Sequence, residues 1–245
     1  MLFHLLSPLA DQHILFNLFR YITFRAAGAM VTALLLSFVF GPAIIRWLRT
    51  LRVGQVVREY GPENHLGKAG TPTMGGVLIL VATVASTVLW ADLANRYIIV
   101  ALVVLIWMAG LGFLDDYLKV VRRRTEGLVG RYKLIGQGLI GLLVGGYLLL
   151  WPISPFPATW TGVPFLADYY VDIWTPLFIP WVMLVLAGSS NAVNLTDGLD
   201  GLAAGLSAIA AVTFGIFAYV MGRVDTSDYL NLFYLPGAGE LAIFC

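Results

Sequence analysis

Long charge-free runs dominate the chain. They occupy 26–45, 69–91, 97–114, 134–151, 173–196 and 202–222, and each ends at charge or at Pro and Gly. A helix crossing a hydrocarbon core needs roughly 20 apolar residues, because every backbone polar group must be satisfied within the segment. These windows therefore predict six membrane-crossing helices. A seventh window opens near Pro236, carries Glu240 inside it, and runs to Cys245. The stretch from 134 to 167 is too long for one span. Pro152, Pro155, Pro157 and Pro164 interrupt it, since proline removes a donor and clashes with the preceding turn. The pattern thus sets a span over 134–151 and a loop over 152–172 with a short interfacial segment. Trp151, Trp160, Tyr169 and Tyr170 suit an aromatic belt at the membrane boundary. The expected fold is an all-α, polytopic transmembrane helical bundle, six clear spans plus the start of a seventh, with residues 1–245 forming a single transmembrane domain.

Composition agrees. The 245 residues are 59% hydrophobic and 12% charged, about half the usual charged share of a soluble domain. The net charge of +1 gives no electrostatic footprint for nucleic acid, so no nucleic-acid partner is expected. Cys245 is the only cysteine, which excludes an intrachain disulfide and a cysteine metal site. Residues 1–19 are apolar but hold His4, Pro8, Asp11 and His13, unlike the basic start and small-residue cleavage site of a secretory signal. Eleven of the fifteen Lys and Arg lie in the connections 46–68 and 115–133. These follow the first and third spans, so they share a side, and the excess of positive charge makes that side cytoplasmic. The polar run 191–201 follows the fifth span and joins them. The N-terminus and the loops 92–96, 152–172 and 223–236 fall on the opposite side.

Three loops on the cytoplasmic side carry candidate chemistry. The first is Asn191-Ala-Val-Asn194-Leu-Thr-Asp197-Gly-Leu-Asp200-Gly201. Its polar residues recur every third position. On an α-helix each such step drifts about 60° backward, whereas a 3₁₀ turn would align them. Helix capping accounts for one or two of these residues. Two aspartates and two asparagines at membrane depth point to a site, because ionisable groups there are costly. The second is Asp115-Asp116, directly after the third predicted span. Acids at a helix C-terminus oppose the macrodipole, so they need compensation. Lys119 and Arg122–Arg124 supply it in one reading, and a divalent cation bound to carboxylate oxygens supplies it in another. One acid then faces a metal while the other orients a lysine or acts as a base. The third is Lys68-Ala-Gly-Thr71-Pro-Thr73-Met-Gly75-Gly76, at the start of the second span. Exposed N–H groups at a helix start attract phosphate, although the order of residues is not that of a Walker A loop.

The basic run 119–133 sets topology beside anionic lipid, and it also makes Lys119 and Lys133 candidates for phosphate neutralisation. His4, His13 and His65 have no ligand partners at useful spacing. The glycines of the fourth span, Gly136, Gly138, Gly141, Gly145 and Gly146, predict close helix packing, within one chain or across a dimer.

With these residues assembled, the sequence resembles phospho-N-acetylmuramoyl-pentapeptide transferases. The likeness runs along essentially the whole chain, through Tyr21-Ile-Thr-Phe-Arg25, Gly70-Thr-Pro-Thr-Met-Gly-Gly76, Gly112-Phe-Leu-Asp-Asp-Tyr117 and the run Asn191 to Gly201. The Asp-Asp pair and the Asn/Asp run are common to the wider polyprenyl-phosphate sugar-1-phosphate transferases, and the Gly70–Gly76 stretch points to the muramoyl branch. The resemblance implies Mg²⁺-dependent transfer of phospho-N-acetylmuramoyl-pentapeptide from its UDP derivative to undecaprenyl phosphate. Lipid I forms and UMP leaves, at the cytoplasmic face of a bacterial inner membrane. It implies a homodimer in the bilayer, with UDP-N-acetylmuramoyl-pentapeptide and undecaprenyl phosphate as partners. The expected roles are Asp115 as base or orienter for the lipid phosphate and Asp116 in support or on the metal. Lys119 and Lys133 neutralise phosphates. Lys68, Thr73, Asn194, Asp197 and Asp200 bind the nucleotide-sugar or hold the cleft, with Asn191 in support. Family members continue through further spans and carry another metal-binding aspartate in a Phe-Met-Gly-Asp motif and a histidine-rich loop. Neither occurs in these 245 residues, so an N-terminal portion lacking one metal ligand is expected. The competing readings are a sister enzyme using UDP-N-acetylglucosamine and an ion-coupled secondary transporter.

Overall fold

The computed structural model describes residues 1–50, 74–120, 122, 127–163, 166, 169–197, 199 and 201–245, with only the backbone of 49, 50 and 120. Helices carry the fold: α1 (Leu2–Leu6), α2 (Ile14–Asn17), α3 (Ile22–Thr50), α4 (Gly76–Trp90), α5 (Arg96–Val120), α6 (Gly130–Leu150), α7 (Thr175–Thr196), α8 (Leu202–Met221), α9 (Val224–Tyr229) and α10 (Leu241–Phe244). Among the described residues five helices, α3 and α5 to α8, are long and apolar enough to cross a membrane. The second predicted span, 69–91, appears as α4, with 15 described residues, about 22 Å at 1.5 Å per residue. Large apolar side chains such as Phe38, Leu150 and Phe214 stand exposed on the long helices, which is the surface expected of helices solvated by lipid tails.

Two features differ from the sequence expectation. The loop 152–172 contains an antiparallel pair, β1 (Trp160–Gly162) and β2 (Tyr170–Asp172), in register Trp160↔Asp172 and Gly162↔Tyr170. Among the described residues the fold is therefore helical with one small hairpin. Tyr170 packs on Phe233 at 4.4 Å and Phe156 on Phe233 at 4.7 Å, so aromatic contacts join the hairpin to the segment after α9. Secondly, α5 runs to Val120. Asp115 and Asp116 lie within the helix and not just beyond it. A window drawn on charge stops at the first acid, but intrahelical hydrogen bonding does not.

Small residues set the helix contacts. Gly28 on α3 faces the Trp90 ring at the end of α4, and a Cβ there would lie 2.5 Å from it. The Trp90 indole N–H donates to Thr32 Oγ1 at 2.9 Å. Gly141 on α6 lies against the backbone of Met183 on α7, and Gly145 against Ile179. The glycine stripe of the fourth span is thus used within one chain, where absent side chains let backbones approach.

At one end of the bundle the N-terminal segment, the α4–α5 turn and the chain around 237–245 meet. His4 pairs with Asp92 at 3.1 Å, and Asn95 donates to the Gly237 carbonyl at 2.9 Å. Arg25, 2% exposed, pairs with Glu240, 7% exposed. The loops expected opposite the basic side are therefore together, and Glu240 has a partner.

Candidate active site

The other end of the bundle gathers the polar residues. The C-terminal part of α5 supplies Asp115 and Asp116, and the first turn of α6 supplies Lys133. The last turn of α7 supplies Asn194, with Asp197 directly after the helix. With Met74 and Gly76 at the start of α4, these side chains line one cavity of about 330 Å³. A second cavity of about 260 Å³ adjoins it and shares Gly112, Lys133, Asn194 and Asp197. It reaches between α5, α6 and α7 to Met108, Gln137 and Ser190, and to Ala203 on α8.

The two neighbouring aspartates differ in their surroundings. Asp115 Oδ2 accepts from Lys119 Nζ at 2.6 Å, one helical turn on, and Asp115 Oδ1 accepts the Leu128 backbone N–H at 2.7 Å. Both oxygens are held. Among the described residues, Asp116 and Asp197 have no ion-pair or hydrogen-bond partner, and Lys133 has no ion-pair partner. With Asp115 balanced by Lys119, the cavity keeps two unneutralised carboxylates against one lysine.

The α-helical drift decides the fate of the Asn/Asp run. Residues 191–196 stay α-helical, so the 3₁₀ alignment does not occur there. Asn194 and Asp197 face the cavity. Asn191 turns toward α6 instead, where its amide donates to Gln137 Oε1 at 2.9 Å and to the Ala187 carbonyl at 2.8 Å. Lys119 reaches the cavity only through Asp115. Lys68, Thr73 and Asp200 lie outside the described residues.

Gln137 was not among the residues singled out in the sequence. It is 1% exposed, receives the Asn191 amide, and donates to Ser190 Oγ at 3.1 Å. Its signal was a lone amide between Gly136 and Gly138 in an apolar span. A polar group there must find a partner or serve a site; Gln137 has partners and also lines the second cavity.

The chain is similar to known proteins along its length. The model of "Glycosyl transferase family 4" matches residues 98–244, and the "Phospho-N-acetylmuramoyl-pentapeptide-transferase signature 1" matches residues 68–80. A protein of Gemmatimonas aurantiaca called phospho-N-acetylmuramoyl-pentapeptide-transferase is 59% identical, over 100% of this chain and 67% of that protein. The chain belongs to that transferase family. Proteins of the same name from Citrifermentans bemidjiense and Granulibacter bethesdensis are each 51% identical over all of this chain, which covers 67% and 68% of them. The family match spans α5 to α10 and so contains every described acid and amide of the cavity. The transferase signature covers the start of α4, where Met74, Gly76, Val77 and Leu80 line the cavity.

Proposed function

We propose that the paired cavities are where this transferase brings together a UDP-N-acetylmuramoyl-pentapeptide and undecaprenyl phosphate, on the cytoplasmic face of a bacterial inner membrane. The observation that carries this reading is the convergence of Asp115, Asp116, Lys133, Asn194 and Asp197, from three helices, on one cavity. A lipid-anchored phosphate and a soluble nucleotide can meet only at such a boundary. Phosphoryl transfer needs little covalent help from a protein and depends on positioning and charge neutralisation.

In the reaction a lipid phosphate oxygen bonds to the β-phosphorus of the UDP-sugar. The bond from that phosphorus to the bridging oxygen breaks, and UMP leaves with the electron pair. Asp115, held by Lys119 and the Leu128 N–H, is a fixed negative point that orients the incoming phosphate group. Lys133, at the junction of the two cavities, neutralises phosphate. Asn194 and Asp197 hold the nucleotide-sugar together with Lys68, Thr73 and Asp200. Asn191 supports them through Gln137.

The donor set suits Mg²⁺. Among the described residues no cluster of three or more His, Cys, Asp or Glu forms a closed metal cage. Magnesium characteristically takes one or two carboxylates and completes its shell with substrate phosphates and water. Asp116 and Asp197, both unpaired carboxylates on one cavity, would hold it with the Asn194 carbonyl. Two such carboxylates would repel a diphosphate, so a cation must accompany the substrate. When bound, the metal supplies charge neutralisation for the diphosphate.

The test is lipid I formation by the complete enzyme in detergent, followed as radiolabelled UDP-sugar passing into a butanol-soluble lipid. Asp115→Asn should abolish it and Asp116→Asn should lower it steeply at ordinary Mg²⁺, and near-normal turnover in both would sink the assignment. Offering UDP-N-acetylglucosamine alongside the muramoyl substrate reads the sugar specificity.

A further inference from the structure

We infer that Gly127 is a positioning residue for Asp115: by lacking a side chain, it lets the backbone at 127–128 close over the Asp115–Lys119 pair and fix the carboxylate. This rests on the reading that Asp115 serves the transfer reaction.

Three observations converge on it. Gly127 is buried, lies just before α6 and has φ +63°, in the left-handed region that glycine enters without steric cost. A Cβ at Gly127 would lie 2.4 Å from Asp115 Oδ1, 2.5 Å from Lys119 Cε and 2.9 Å from Lys119 Cγ. The following residue, Leu128, then donates its N–H to that same Asp115 oxygen at 2.7 Å. The backbone is therefore the third side of a clamp whose other sides are α5 itself and Lys119.

The clashing atoms decide the kind of effect. They belong to two side chains, the Asp115 carboxylate and the Lys119 stem, not to packed backbone, so an added methyl group displaces the carboxylate and the lysine and leaves the helices where they are. Asp115 would lose the amide bond and the geometry of its lysine pair together. Asp116, Asn194 and Asp197, on other faces of the cavity, would keep their places. The residue thus acts on the reacting end of the site and not on the nucleotide end.

The experiment compares Gly127→Ala, Gly127→Asn and Asp115→Asn in the complete enzyme in detergent. Asparagine tolerates the left-handed backbone but carries a Cβ, so it separates backbone conformation from side-chain clash. Both Gly127 variants should lose on the order of 100-fold in kcat, the scale expected for roughly 1 Å of misplacement. KM for the UDP-sugar should stay within about twofold, because uniform substrate binding is untouched. Wild-type kcat in both variants, or a loss confined to Gly127→Ala, overturns the clamp. Should either variant fail to fold, amide exchange of segment 127–129 in the Asp115→Ala enzyme answers the same question. Faster exchange at Leu128 supports the clamp, and unchanged exchange overturns it. An active Asp115→Asn enzyme would defeat the functional reading itself. An inactive one beside active Gly127 variants would defeat only this inference.

Discussion

Arg25, at the start of α3, and Glu240, at the start of α10, form a buried guanidinium–carboxylate pair. Arg25 Nη1 donates to Glu240 Oε2 at 2.8 Å, and Nη2 donates to Oε1. The same carboxylate accepts the Asp92 N–H at 2.9 Å, and the guanidinium lies over the Phe3 ring at 4.4 Å. One ion pair thus ties together the N-terminal segment, the α4–α5 turn and α10. Losing one partner leaves an uncompensated buried charge, which costs about 3–5 kcal/mol. Arg25→Met and Glu240→Met should each lower the thermal midpoint in detergent. The double variant should recover much of that loss, since apolar pairs often replace buried ion pairs without penalty. Additive losses in the double variant would show that the two residues act separately.

That pair also shows where sequence reasoning stops. Glu240 looked misplaced in an apolar window because its partner lies 215 positions away, and no local periodicity reaches that far. The spans and the grouping of loops at two ends were legible, because burial in lipid imposes long apolar runs and an asymmetric spread of Lys and Arg. Asp115, Asp116, Asn194 and Asp197 were legible as acids and amides that a membrane helix would otherwise exclude. That the two acids would differ was legible from their offset of about 100° on a helix, but the Leu128 N–H on Asp115 was not, because it depends on the backbone at 127–128 folding back over α5. Asn191 was grouped with the cavity residues by its spacing, but helical drift turned it to Gln137, which only the packing of α6 on α7 could reveal.

Asn191 and Asn194 should therefore fail in different ways. Asn191→Ala leaves Gln137 Oε1, inside a 1% exposed side chain, without its donor. That costs about 1–3 kcal/mol and should appear as a lower thermal midpoint with modest loss of turnover in the folded fraction. Asn194→Ala removes a cavity-lining amide whose neighbours are exposed, so stability should hold while KM for the UDP-sugar rises. Equal stability losses in the two variants would contradict this division.

The α6 glycines should also separate. A Cβ on Gly141 would sit 2.7 Å from Met183 Cα, whereas one on Gly146 would meet nothing within 4 Å. Gly141→Ala must move a backbone, forcing α6 and α7 apart, and overpacking of this kind costs about 1–3 kcal/mol. Gly146→Ala should be neutral or stabilising by up to about 1 kcal/mol from helix propensity. Melting curves of the two single variants in one detergent check the order, and a Gly146→Ala enzyme less stable than Gly141→Ala would refute it.

The charge balance of the cavity yields the last expectation. Asp115 is matched by Lys119 at 2.6 Å, but Asp116 and Asp197 share their cavity with Lys133 alone among described basic side chains. A diphosphate entering there adds negative charge to a surplus of carboxylate, and a cation bound with it would offset that repulsion. Chelation by EDTA should stop lipid I formation, and Mg²⁺ should restore it. Asp116→Asn and Asp197→Asn each remove one hard oxygen anion. The Mg²⁺ concentration for half-maximal activity should then rise by at least about tenfold, the scale seen when groups supporting a metal are lost. Lys133→Ala should leave that concentration nearly unchanged while raising KM for the UDP-sugar. A Mg²⁺ titration of the three variants separates metal holding from phosphate neutralisation. If Asp116→Asn and Asp197→Asn kept residual activity with the wild-type Mg²⁺ dependence, the cation would have to sit on carboxylates other than these two.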